Sequence, residues 1–251
     1  MASSTVVFIS GAGRGIGRSL AEAYLSRPNH TVVGSVRDPT SANAQEIKAF
    51  PAAEGSRFLL VKIESSSFSD PAAAVKEAEA AGVDHIDVLI ANAGGAGGSI
   101  SPLDKVTPQD VTDVFNINAL GPLALYQAAK PLLDKSKAPK FLGISSAVGS
   151  IGNMENFRAH VAPAYGIAKA GLNWISVAAH SGNKEYISFV VHPGLVQTDG
   201  GNRAAKGMGL PQAPHTKKQS TDAILALLDN ATREKTSGKF FDAIAGTEIP
   251  W

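Results

Sequence analysis

Six short apolar runs, at 6–9, 31–36, 58–63, 88–91, 141–144 and 187–191, recur along the chain, each bounded by turn residues and too short to make a helix. Runs of that length read as buried strands. Between them lie stretches rich in alanine and leucine with helical spacing, at 16–25, 71–81, 108–133 and 164–179. Strand and helix in alternation force parallel crossovers, because a helix is the connection that returns the chain to the same end of the sheet. Right-handed crossovers then give an open, twisted, doubly wound parallel sheet of about seven strands with helices on both faces. A chain of 251 residues, 44% of them hydrophobic, is long enough to cover such a sheet as one domain. No linker, internal repeat or heptad pattern divides it. Ligands of open α/β sheets bind beyond the carboxyl ends of the strands, so the site is expected on the strand-exit loops. One of these, at about 195–220, is rich in Gly, Pro and Lys and reads as a lid.

The first strand runs directly into Ser10-Gly11-Ala12-Gly13-Arg14-Gly15-Ile16-Gly17, and a helical pattern follows. Glycines allow a tight turn and a close backbone approach, and the amino end of the helix offers unpaired N–H groups and a positive dipole end to a pyrophosphate. The strand before and the helix after supply the context that a glycine motif requires for dinucleotide binding. No Gly-Lys-Ser/Thr ending is present, which disfavours a triphosphatase. The adenosine ribose belongs where the second strand ends, and there the chain has Val36-Arg37-Asp38. Arg37, with Arg14 from the glycine turn, can clamp a 2′-phosphate, so NADPH is the expected cofactor. Asp38 points the other way if the register slips by one residue, and NADH stays as the alternative.

Tyr165 and Lys169 stand four residues apart in a helical stretch, which places phenol and ammonium on one face. A cation beside a phenol stabilises the phenolate and lowers its pKa, so the pair reads as a tuned acid. The remaining composition excludes other chemistries. With no cysteine there is no thiolate nucleophile, and the six histidines are scattered without metal-ligand spacing, so no metal is expected. Net charge is +1 with both signs mixed, which gives no nucleic-acid footprint and no polybasic membrane patch. Neither a leader-type start nor a run of membrane-spanning length is present, so a cytoplasmic protein acting on a small molecule is expected. Helices over 108–133 and 164–180 carry apolar residues on more than one face, which suggests a homodimer or homotetramer.

Taken with the glycine turn and Tyr165-x-x-x-Lys169, four more motifs stand in order: Asn92-Ala93-Gly94, Asn118 within Phe115-Asn116-Ile117-Asn118-Ala119, Ser146 within Ile144-Ser145-Ser146, and Pro193-Gly194. In this combination the chain resembles the short-chain dehydrogenase/reductase family over nearly its whole length, with the Rossmann fold that the family implies. Ser35-Val36-Arg37-Asp38-Pro39 and the ending Thr247-Glu248-Ile249-Pro250-Trp251 are most similar to C-factor-like proteins and fungal norsolorinic acid ketoreductases. The resemblance implies that Tyr165 gives a proton to the carbonyl oxygen while nicotinamide gives hydride to the carbon. It implies that Lys169 tunes Tyr165 and holds the nicotinamide ribose, that Ser146 orients the carbonyl, and that Asn118 holds a water for proton supply. It also implies cofactor contacts from Asn92, Ala93 and Gly94 at the adenine ribose and from Pro193, Gly194, Val196 and Thr198 near the nicotinamide or pyrophosphate.

Two departures from the family pattern stand out. The third strand exits as Lys62-Ile63-Glu64, without the usual aspartate before a small apolar residue, so the Ile63 backbone is left to meet adenine. The interval from Ser146 to Tyr165 is lengthened by 152–158, a loop that should border the substrate together with 95–101 and 197–215. Ser145 competes with Ser146, since adjacent strand residues face opposite ways. The expected activity is an NADPH-dependent ketoreductase acting on a carbonyl, an aromatic polyketide ketone among the candidates. An NAD-linked alcohol dehydrogenase and an NADP-sensing protein without turnover are the alternatives.

Overall fold

The computed structural model describes residues 4–96 and 101–251. Gly97 and Gly98 of the glycine cluster, and with them most of the 95–101 loop, lie outside the described residues, as do residues 1–3.

Strands β1 (Thr5–Ile9), β2 (His30–Val36), β3 (Arg57–Lys62), β4 (Val88–Ala91), β5 (Lys140–Ile144) and β6 (Ile187–His192) occupy the six apolar runs, shifted by no more than one residue at either end. They join β7 (Phe240–Asp242) and β8 (Thr247–Glu248) in one sheet of order β3-β2-β1-β4-β5-β6-β7-β8. All pairs are parallel except β7 with β8, a short antiparallel edge that adds an eighth strand to the seven expected. Order reverses between β1 and β4, and the crevice at such a switch point is where an open sheet binds its ligand.

The helices are α1 (Gly15–Leu25), α2 (Ala42–Lys48), α3 (Asp70–Ala80), α4 (Pro108–Phe115), α5 (Gly121–Leu133), α6 (Pro163–Gly182), α7 (Asp199–Gly207) and α8 (Lys217–Asp229). Successive residues of β1 show how they clothe the sheet. Val6 and Phe8 enter a core with α3, α5 and α6, through Val75, Leu132 and Ile175, whereas Val7 and Ile9 enter one with α1 and α8, through Leu20, Tyr24 and Ile224. Alternation along a strand sends neighbours to opposite faces, so one apolar run nails down two helix layers. Phe8, Phe141, Phe189 and Phe240 are fully buried, each contributing about 1.5–3 kcal/mol.

The helical stretch expected over 108–133 is interrupted. A π-turn, Asn116–Leu120, separates α4 from α5, with the Gly121 N–H reaching back to the Asn116 carbonyl. Pro122 explains the widening. It has no N–H for the carbonyl four residues earlier, that of Asn118, so the regular ladder fails at that point.

The 195–220 region is partly helical. Its neck is stitched where Val196 bridges His215, the Gln197 N–H donates to the His215 carbonyl at 2.8 Å, and the His215 N–H donates to the Leu195 carbonyl at 3.1 Å. Beyond the neck, Thr216 and Gln219 form a capping box that starts α8, so 217–220 belongs to a core helix. No helix among the described residues is long and apolar enough to cross a membrane.

Candidate active site

The glycine turn owes its shape to β4. The Asn92 side-chain amide donates to the Ser10 carbonyl at 2.8 Å and the Gly11 carbonyl at 3.2 Å, and the Ser10 hydroxyl accepts from the Asn92 and Ala93 N–H groups at 3.0 Å each. A side chain on Gly17 would meet the Asn92 amide nitrogen and the Gly11 carbonyl at 2.3 Å, so only glycine fits there. Gly11 (φ +71°) and Gly15 (φ +60°) take the left-handed conformation that glycine adopts without strain. Gly13 lies against Val36, where a Cβ would sit 3.1 Å from the valine methyl. Arg14 precedes α1 in an extended conformation without capping the helix, while Ile16 packs into the α1 core. The first N–H groups of α1 thus receive no side-chain cap from Arg14, an arrangement suited to an anion. The Asn92 side chain is turned into the glycine loop, and Ser10, to which sequence reasoning gave no role, completes that brace.

Arg14 and Arg37 leave the backbone where the glycine turn meets the end of β2. Each faces a carboxylate across open solvent: Arg14 stands 3.2 Å from Asp199 and Arg37 stands 3.9 Å from Glu64, with 81% of the Arg37 side chain exposed. Pairs so exposed are worth little and break readily. Asp38, the rival ribose ligand, is occupied within its own turn. Its carboxylate accepts the Thr40 N–H at 2.8 Å and the Thr40 hydroxyl at 2.7 Å, which hold its pKa below the usual range. The Ile63 N–H is also taken, by the Val36 carbonyl at 2.9 Å. Ile63 instead lines a small pocket with Ser10, Ser65, Ala93 and Ile117, at the exits of β1, β3 and β4.

Gly194 (φ +85°) turns the chain after β6 and packs on Ile244 and His215, while the Pro193 carbonyl accepts the Ser220 hydroxyl at 2.8 Å. Val196 is buried where the chain bridges His215. Thr198 caps α7 by accepting the Gly201 N–H at 3.0 Å, and its methyl lies 3.4 Å from where a Gly15 Cβ would stand. The start of α7 therefore borders the glycine turn.

At the exit of β5 the two serines part company. Ser145 is buried and donates to the Asn173 side-chain oxygen of α6 at 2.6 Å, with Asn173 in turn donating to the Gly149 carbonyl at 3.2 Å. Ser146 is only half-buried and lies close enough to the Tyr165 phenol to lower its pKa. Ser145 is a structural tie, and the hydroxyl facing the phenol is that of Ser146. Tyr165 packs in an apolar cluster with Val106, Val111 and Phe115, and a pocket beside it is lined by Ala96, Ser101, Val106, Ala162, Pro163 and Ala164.

Lys169 is 3% exposed. Its ammonium donates to the Ile144 carbonyl at 2.7 Å and lies 5.5 Å from the centre of the Tyr165 ring. The expectation that it lowers the tyrosine pKa is not met in this geometry. Burial pushes the Tyr165 phenol up to about 12, only partly countered by Ser146, and burial also pulls Lys169 down to about 7. Both neutral forms are favoured in a desolvated pocket, and a lysine so poised carries only part of its charge at neutral pH.

Asn118 is fully buried in the π-turn. Its side-chain oxygen accepts the Gly95 N–H at 3.0 Å, and its amide donates to the Gly95 carbonyl at 2.8 Å and the Val114 carbonyl at 2.9 Å. The side chain clamps the loop after β4, and both of its N–H donors are taken. The clamp fixes Gly94, where a Cβ would fall 2.6 Å from the Asn118 side-chain oxygen and 3.4 Å from the Lys169 ammonium. Among the described residues no group of three metal-ligating side chains comes together.

Comparison with known proteins agrees with this geometry. The family model for short chain dehydrogenases matches residues 5–209. The chain is 48% identical to short-chain dehydrogenase srdF of Neurospora crassa over 99% of its own length and 98% of that protein. It is 39% identical to the norsolorinic acid ketoreductase of Aspergillus parasiticus, over 98% of this chain and 91% of the other. Among solved structures, NADPH-bound carbonyl reductase from chicken fatty liver superposes with a TM-score of 0.86 at 26% identity, over 99% of this chain and 95% of that one.

Proposed function

We propose that this chain, which belongs to the short-chain dehydrogenase family of oxidoreductases, is an NADPH-dependent ketoreductase with Tyr165 as the acid. The observation that carries the reading is the convergence of Ser146, Tyr165 and Lys169 beside Gly94, next to a glycine turn that ends on an uncapped helix. The cradle fits a dinucleotide, because Gly11, Gly15 and Gly17 each remove a side chain that would obstruct it or the turn behind it. Bound there, a reduced nicotinamide supplies hydride.

The protein's own groups do the rest. Ser146 and Tyr165 present two hydroxyls to one carbonyl oxygen, orienting it and stabilising the charge that develops. Tyr165, held neutral by burial, delivers its proton to that oxygen. An ammonium has three donors, so Lys169 can keep the Ile144 carbonyl and still grip a ribose hydroxyl of the cofactor. The Asn118 main-chain carbonyl, deprived of its α-helical donor by Pro122, serves as the acceptor for a relay water.

NADPH is favoured over NADH because Arg14 and Arg37 lie exposed at the β2 exit, whereas Asp38 is turned toward Thr40, which donates twice to one of its oxygens. The pocket beside Tyr165 is mostly apolar, which suits an aromatic ketone, and relatives include norsolorinic acid ketoreductases. Ile167 and Trp174, exposed on α6, support a homodimer or homotetramer, to be read by sedimentation. The test is calorimetric titration with NADPH and NADH, then NADPH oxidation across ketones, quinones and polyketide-like aromatics. NADPH bound no tighter than NADH removes the cofactor assignment. Tight binding with no turnover on any carbonyl shifts the reading to a nucleotide sensor.

A further inference from the structure

The chain between Ser146 and Tyr165 is held from outside by residues 249–251. The Ser150 hydroxyl donates to the Pro250 carbonyl at 2.5 Å, and the Gly152 N–H donates to the Trp251 carbonyl at 2.6 Å. Ser150 is fully buried, and its hydroxyl also accepts the Asn153 N–H at 3.2 Å, so the same atom anchors the entry to the loop. A side chain on Gly152 would stand 3.0 Å from the Trp251 carbonyl, so the approach is close.

Two apolar contacts secure the holding segment. Trp251 stacks on the fully buried ring of Phe240, with centroids 5.8 Å apart and planes at 26°. Ile249 is buried with Val190 and Phe240, and Phe157 from the loop packs into that same cluster. The loop also contains Arg158 at φ +49°, a left-handed conformation unfavourable for a side-chain-bearing residue and kept where the surroundings impose it. Between its anchors the loop leaves Ile151 and Met154 open to solvent, although both are apolar. At its other side the entry to the loop is pinned against α6, where a Gly149 Cβ would stand 2.9 Å from the Lys169 Cβ, so the anchor at 249–251 governs the far part of the loop.

We infer that residues 249–251 form a positioning element for substrate selection: through Ser150, Gly152 and Phe157 they fix the 150–158 loop beside Ser146 and Tyr165, and so decide which ketone fits. Trp251 is a positioning residue and touches no reacting atom. The inference rests on the ketoreductase reading for its kinetic consequence, and on the contacts alone for its structural one.

Trp251→Ala and Gly152→Ala test it from opposite sides, one removing the stack and the other pushing the loop off its anchor. Both should speed hydrogen exchange across 150–158. Both should raise KM for a bulky aromatic ketone about tenfold, the scale of one lost apolar contact, with much less change for a small aliphatic ketone. Turnover number and NADPH affinity should stay close to wild type, and Trp251→Phe should restore KM by keeping the stack. Unchanged exchange in 150–158, or equal losses in kcat and KM for both ketones, overturns the inference. If the wild-type protein reduces no ketone, the proposed function fails, and hydrogen exchange alone decides whether 249–251 hold the loop.

Discussion

Ser145 and Ser146 are neighbours in sequence, and replacing each by alanine should break a different property. Ser145 is buried, and its 2.6 Å bond to the Asn173 side-chain oxygen is internal to the α6–β5 contact. Removing that hydroxyl leaves a buried acceptor unpaired, which costs about 1–3 kcal/mol. For a chain of this size each kcal/mol moves the melting point by about 2–4 °C, so Ser145→Ala should melt roughly 2–12 °C below wild type. Its turnover should stay near wild type, because the hydroxyl points into α6. Ser146→Ala should do the reverse. Loss of a half-buried hydroxyl should change stability by less than about 0.5 kcal/mol. Loss of a donor to the developing oxyanion should lower kcat by about 10²–10³-fold. Differential scanning calorimetry and NADPH oxidation on the same preparations read both. A larger loss of turnover in Ser145→Ala, or a stability loss confined to Ser146→Ala, would refute the division of labour.

Further consequences follow from the buried lysine and the crowded glycine. With its pKa pulled from 10.5 to about 7, native Lys169 disfavours its proton. The unfolded chain therefore binds more protons between those values, and wild-type stability rises with pH across that window. Lys169→Met should be the more stable protein at pH 6 and lose that advantage toward pH 10.5, by at most about 1.4 kcal/mol per pH unit. The Ile144 carbonyl favours the ammonium and holds the measured slope below that ceiling. Urea midpoints that differ by the same amount at every pH would contradict the burial argument. Gly94→Ala should drive a methyl into the Asn118 clamp, destabilising by about 1–3 kcal/mol and weakening NADPH binding with it. Titration showing wild-type affinity would separate Gly94 from the cofactor site.

The sheet was legible because parallel strands buried on both faces write uninterrupted apolar runs, as at Val88–Ala91 and, within β6, Phe189–Val191. β7 and β8 leave almost no such mark, having three and two residues at an edge where pairing comes from the rest of the sheet. The glycine turn, Tyr165 and Lys169 were found by spacing, which fixes who can meet but says nothing about solvent. For that reason the spacing foretold a lowered phenol pKa, whereas burial of the whole pocket drives it upward. Asn118 was found as a residue, but its clamp on Gly95 was not legible, since Gly95 lies on a separate segment that only the fold brings to it. Ser10 and Asn173 carried no signal at all, because a serine or asparagine acquires meaning only from what stands opposite it.

The central claim is that Tyr165 is the proton donor in a site that binds NADPH through other groups. Calorimetric titration and NADPH oxidation with a reducible ketone, on wild type and Tyr165→Phe, test it together. The phenylalanine keeps the ring that packs on Val106 and Phe115 and removes only the hydroxyl. The account predicts NADPH affinity close to wild type with reduction abolished. Reduction by Tyr165→Phe at the wild-type rate would contradict it.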